Sequence, residues 1–314
     1  MVDAGRGRDE IPLCWFAAGG TLGDDVGGDL SELVNTEEGL EKLVAELREA
    51  SDIALDTEGN SFHAHRDQVC LIQLAVGFQD PHIFLLDPLA VDPRPLAETF
   101  ADPRHRLIVH GGDFDVRSLR RDFGFTFGRM FDTMMAAQVL QLPELGLVAL
   151  LKQELGVTIG KGEQRSDWGR RPLRQEQLAY AAEDVRHLLP LAAKLEAQLV
   201  AAGKLPAAEA QFEKLRHLVA REKSFDAGGF RRMKGARGLG EAQLRVLEML
   251  WLGRERLAIE LNRAPFKIIG EQAMVEVARR SPTDLESLRK VPGVGDLIVR
   301  RLGQELIAIP VPSN

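Results

Sequence analysis

Tyrosine occurs once in these 314 residues, cysteine twice, and aromatic residues make up only 6% of the chain. Cys14 and Cys70 lie far apart and form no CxxC. That spacing argues against a disulfide framework or a cysteine zinc site, and points to a reducing compartment, the cytoplasm. No apolar run reaches the roughly 18 residues that a membrane helix needs, so no membrane partner is expected. The apolar stretch 11–18 is too short and wrongly flanked for a signal peptide. There is no strong basic excess either: the formal net charge is −7, which does not suit a generic nucleic-acid coat.

The charge is unevenly spread. Residues 228–302 hold 15 Lys+Arg against 9 Asp+Glu, a net of +6, while the remainder holds 25 against 38, a net of −13. A basic C-terminal part on an acidic body suggests two tasks, although helical modules are often locally basic. Punctuation along the chain agrees. Residues 17–29 are rich in Gly and Asp and read as a flexible lead-in, so 1–30 is set apart as an N-terminal segment. Asn35 and Glu38 have capping-box spacing before a helix that runs to about Ala50. Short apolar runs at 52–57, 69–75, 82–87 and 106–110 read as strands. From 132 onward the pattern is helical, with Gly156 as a C′ glycine and one long helix over 173–202. The result is an α/β domain over 31–205, a mixed sheet with flanking helices. A connecting helix and linker fill 206–235. A small all-helical module occupies 236–314.

Chemistry concentrates in three places. Asp56 and Glu58 end the first of these strands. Residues i and i+2 of a strand share a face, so the two carboxylates repel unless a cation sits between them. Asp113 and Asp115 both follow the strand ending at His110, across a Gly111–Gly112 turn that glycine makes sterically possible. Tyr180 and Asp184 are four apart on a helix and share one face, with Ala179, Ala181 and Ala182 small enough to let that helix approach a sheet. Singly, each has an ordinary structural explanation: a surface acid pair, a strand-end histidine, a half-buried tyrosine above a surface aspartate.

As a set, DTE at 56–58, HGGDFD at 110–115 and YAAED at 180–184 resemble the three motifs of the DEDDy 3′→5′ exonucleases. The pattern H-x-x-x-F-D selects Asp115 over Asp113. VCLIQLA at 69–75, FDT at 131–133 and the stretch 166–191 resemble the ribonuclease D family in particular. The segments 244–269 and 281–295 resemble an HRDC domain. This likeness implies a ribonuclease H-like mixed sheet followed by a small all-α HRDC-like domain. It implies two divalent cations, Mg²⁺ or Mn²⁺, held by Asp56, Glu58, Asp115 and Asp184, with Tyr180 orienting the attacking water. The expected substrate is RNA with a single-stranded 3′ end, such as a tRNA precursor. His110, Lys161 and Trp168 are expected to touch it, Lys161 at a phosphate and Trp168 by stacking or by shaping the site. The alternatives are a Werner-type DNA exonuclease and a catalytically silent binding or scaffold protein.

Overall fold

Val69–Val76 is apolar at nearly every position, and every residue in it is buried. A strand of that composition belongs in the middle of a sheet covered on both faces. In the computed structural model, which describes residues 31–160, 162–219 and 224–309, it does. The sheet has six strands in the order β1-β4-β3-β2-β5-β6: β1 Ser31–Val34, β2 Asp52–Gly59, β3 Val69–Val76, β4 His82–Leu86, β5 Arg106–Val109 and β6 Arg129–Asp132. β3 runs antiparallel to both its neighbours, β2 and β4, and the other pairs are parallel. The four strands expected from sequence are all present. The two short strands at the edges, β1 and β6, were not anticipated. The lead-in 17–29 and Cys14 lie outside the described residues.

Each sheet face has its own core. On one side α1 (Glu37–Glu49), α2 (Ala97–Ala101) and α3 (Asp113–Phe123) pack with Ile53, Leu55, Phe100 and Phe125. On the other, α4 (Thr133–Leu140), α5 (Leu147–Leu150, continued as a π-helical turn to Leu155), α6 (Gln175–Arg186), α7 (Leu188–Ala201) and α8 (Leu205–Arg216) close over Ala54, Leu71, Ala75 and Leu85.

Two sequence expectations change. α1 is capped by Thr36, whose hydroxyl accepts from Gly39 N–H at 3.2 Å, and not by Asn35. The single long helix over 173–202 is two helices, α6 and α7, broken at His187. Pro190 explains the break: it has no N–H to give Arg186, and its ring crowds that carbonyl. The expected C′ glycine, Gly156, is left-handed at φ 75°.

The C-terminal part has a separate apolar cluster built from Phe230 to Leu306. Its helices are α9 (Glu241–Glu260), α10 (Pro265–Ile268), α11 (Glu271–Arg280), α12 (Leu285–Arg289) and α13 (Asp296–Ile307). The PGVG segment is a turn between α12 and α13. Gly293 sits there at φ +84°, and a Cβ would meet Ala273 at 2.9 Å. This module touches the loop after β2: Glu255 accepts from His65 at 2.7 Å, Ala264 N–H donates to the His63 carbonyl at 3.2 Å, and Lys267 Nζ donates to His63 Nδ1 at 2.7 Å. Among the described residues no helix is long and apolar enough to cross a membrane.

One buried carboxylate braces the chain where β5 turns into α3. Asp132, fully buried, accepts from Gly111 N–H at 3.1 Å, Gly112 N–H at 2.8 Å and Met135 N–H at 3.0 Å, so it caps α4 and clamps the Gly-Gly turn together. Asp132→Ala removes a cap and strands buried donors. It is expected to cost about 2–4 kcal/mol, read from the urea midpoint.

Candidate active site

The DTE segment places Asp56 and Glu58 on the sheet face covered by α6, at the end of β2 where pairing with β3 becomes irregular after Glu58. Thr57 points to the opposite face. From there its hydroxyl donates to Asp115, on the first turn of α3. The Gly111–Gly112 turn makes this possible: Gly111 takes φ +67°, and the chain enters α3 with Asp115 turned inward, 5% exposed. Asp113 faces solvent, its side chain 59% exposed, and pairs with Arg117. The structure therefore separates two aspartates that chemistry alone left equal.

α6 supplies the other wall. Ala181 and Ala182 are fully buried against the sheet, which brings Tyr180 and Asp184 down beside Asp56 and Glu58. Asp56, Glu58 and Asp184 each offer an oxygen, and these atoms lie within 4.8 Å of one another. The Tyr180 hydroxyl lies near enough to Asp184 to favour its charged form. These residues, His110 and Gln164 line a cleft of about 490 Å³.

Crowded carboxylates in a half-dry cleft resist ionisation. Burial, reinforced by the charges of Asp115, Asp184 and Glu58, holds Asp56 well above the usual aspartate range. Burial, then Asp184 and Asp115, pushes Glu58 up to about 9. Burial raises Asp184 to about 7 against the pull of the Tyr180 hydroxyl, and Asp115 to about 6 against the Thr57 hydroxyl. Tyr180 is pushed up as well, first by burial and then by the acids, so it stays a neutral phenol that donates. Three carboxylates converging on one point, Asp56, Glu58 and Asp184, with Asp115 buried nearby and no cation among the described side chains that line the cleft, form a natural set for hard divalent ions.

His110 is held in one tautomer. Its Nδ1 lies 2.9 Å from Thr133 Oγ1, which itself donates to the Val109 carbonyl at 3.0 Å. A carbonyl only accepts, so the Thr133 proton is committed there and Nδ1–H of His110 must donate. Nε2 is then a bare acceptor, buried, with no partner among the described residues. Burial also lowers the His110 pKa, which favours the neutral ring.

The remaining expected contacts fare differently. Trp168 is 1% exposed and packs against Tyr180 with ring centroids 6.2 Å apart. Stacking of its ring on a base is thereby corrected: it is an anchor beneath the tyrosine. Arg171, in the same loop, clamps Asp87 at 2.5 and 2.7 Å and the Cys70 and Trp168 carbonyls at 2.7 Å, a structural task. Lys161 lies outside the described residues. Sequence reasoning missed Thr57 and Asp132. Their only trace was position, one inside the DTE motif and the other inside FDT.

The raised carboxylates have a sign for stability. Glu58 titrates from 4.5 when unfolded to about 9 when folded, so the native state binds more protons and loses stability as pH rises between those values. In metal-free protein, Glu58→Gln should therefore melt above the wild type, by a margin that grows from pH 5 to pH 9. Added Mn²⁺ should shrink the margin by stabilising the wild type. A pH series of melting curves reads both.

Residues 31–200 match the family model described as 3′-5′ exonuclease, and 243–309 match the HRDC domain. The chain is 33% identical to ribonuclease D of Escherichia coli (strain K12) over 282 residues, 88% of this chain and 73% of that one. Among solved structures, the catalytic core of RRP6 from Trypanosoma brucei superposes with a TM-score of 0.80 at 27% identity, covering 89% of this chain and 79% of that one. Escherichia coli RNase D, described as an exoribonuclease involved in structured RNA processing, superposes at 0.66 with 32% identity, covering 89% and 74%. With the carboxylate cleft at the end of β2 and this extent of likeness, the chain belongs to the ribonuclease D family of 3′→5′ exonucleases.

Proposed function

We propose that this protein is an exoribonuclease that removes nucleoside 5′-monophosphates from single-stranded 3′ ends of structured RNA, tRNA precursors being the substrate class in view. The observation that carries the reading is the convergence of Asp56, Glu58 and Asp184 oxygens within 4.8 Å, with Asp115 buried alongside. Two divalent cations, Mg²⁺ or Mn²⁺, would supply the activated water and the charge relief that phosphodiester cleavage needs. The chain's own groups do the rest. Asp56, Glu58, Asp115 and Asp184 would hold the cations, whose charge would offset their mutual repulsion. Tyr180, neutral and beside Asp184, orients the attacking water; a phenol of raised pKa is no general base.

His110 presents an acceptor and no donor. It suits a ribose hydroxyl or a water, and does not suit a phosphate oxygen. Lys161 is assigned to a phosphate as a point charge. Catalysis is assigned to residues 31–205, and the basic module at 236–314 is assigned to further phosphate contacts along the RNA.

Matched RNA and DNA oligomers with 3′ overhangs test the reading in Mg²⁺ and in Mn²⁺. Stepwise loss of ribonucleotides from the 3′ end is expected, and much faster loss of deoxynucleotides overturns the choice of RNA. Asp56→Ala should lower the rate by about a hundredfold or more. Unchanged turnover in that variant overturns the site. Tyr180→Phe should lower kcat with little change in KM, because the hydroxyl is assigned to the water and not to the substrate.

A further inference from the structure

Gln73 lies in the middle of β3, fully buried, and neither its Oε1 nor its Nε2 has a hydrogen-bond partner among the described residues. Its neighbours along β3 and across β4 are apolar. Leu71 and Ala75 flank it along β3, Leu85 opposes it on β4, and Ala181 and Ala182 of α6 belong to the same cluster. An amide buried there without partners has given up its water and gained nothing in return, and a leucine of similar volume carries no such penalty. Packing alone does not explain a glutamine at this position.

The sheet register does. Gln73 is the direct cross-strand partner of Asp56. Directly opposed residues in an antiparallel pair share a face, with Cβ atoms roughly 4.5–5.5 Å apart. A glutamine side chain spans that gap. A carboxylate has about four lone-pair sites, and bound cations do not use them all. Groups that hold a metal ligand in one direction are as much part of a site as the ligand itself.

We propose that Gln73 is the positioning residue of Asp56: its amide, unmet in the metal-free structure, turns toward its cross-strand partner when cations bind, and there its Nε2–H donates to the Asp56 carboxylate and fixes the direction in which that carboxylate presents its oxygens. The proposal rests on the assignment of Asp56 as a metal ligand. It explains why a polar side chain is kept among apolar neighbours, since local rules of packing are broken chiefly where function needs it.

The test uses the full chain and the metal alone. Gln73→Leu removes the amide and keeps the volume, and Gln73→Met is the second variant if the first does not fold. Mn²⁺ dissociation constants are measured by calorimetry, and melting temperatures of the metal-free proteins beside them. Mn²⁺ should bind the variants about tenfold or more weakly. The metal-free variants should melt at or above the wild-type temperature, because two unmet polar atoms are gone. A purely structural glutamine gives the reverse: unchanged Mn²⁺ affinity, with or without a lower melting temperature, and that result overturns the proposal. If the wild type binds no Mn²⁺ and Asp56→Ala changes nothing, the metal-site reading falls and this proposal with it. If the wild type binds Mn²⁺ and Gln73→Leu binds it equally well, only the role of Gln73 falls.

Discussion

Repulsion among Asp56, Glu58, Asp115 and Asp184 is the interaction around which the surrounding structure is organised. Their pKa values are raised chiefly by burial, and like charge adds to it at Asp56 and Glu58. Left to relax, such side chains turn outward to water. Here they are not free to do so, because each is set on an element that cannot move without disturbing a core. Asp56 and Glu58 sit on a strand paired on both sides. Asp184 sits on a helix whose alanines are pressed against the sheet. Asp115 is fixed by Thr57 in front and by the Asp132 clamp on the turn behind.

That arrangement links stability to function in a definite direction. The metal-free fold carries protons it would shed in water, and cations bound as proposed would replace those protons. Tyr180 and Trp168 belong to the same economy of space. Trp168 is buried against the tyrosine ring and supports it from within the fold. The loop that carries Trp168 is stapled to β4's end by Arg171 and Asp87, and its neighbour Arg165 lends a carbonyl to His63, which also receives Lys267 from the helical module. The basic module is thereby tied by short polar contacts to the loop that walls the cleft.

The sequence by itself determined the chemistry. Three acidic motifs in order, one tyrosine four residues before the last of them, and a Gly-Gly turn after a strand specify ligand types and the faces they occupy, because strand and helix periodicities are local. The central strands were legible for the same reason: each is an apolar run between turn residues. β1 and β6 were not, since four residues at a sheet edge carry no periodic signal and are made strands only by the neighbour they pair with. The break between α6 and α7 was present in the sequence as Pro190, but it competed with uninterrupted helical periodicity on both sides.

Only the tertiary structure decided which partners those side chains meet. Thr57 reaches Asp115 across 58 residues, and Asp132 clamps Gly111 and Gly112 from 21 and 20 residues away. Gln73 faces Asp56 only through the sheet register. The tautomer of His110 follows from Thr133 at the start of α4, and the burial of Trp168 follows from what packs around its loop. These are long-range contacts, and burial depends on everything that packs above a residue. The four carboxylates and the tyrosine were thus readable in order and spacing, while the side chains that hold them in place became visible only where the strands and helices meet.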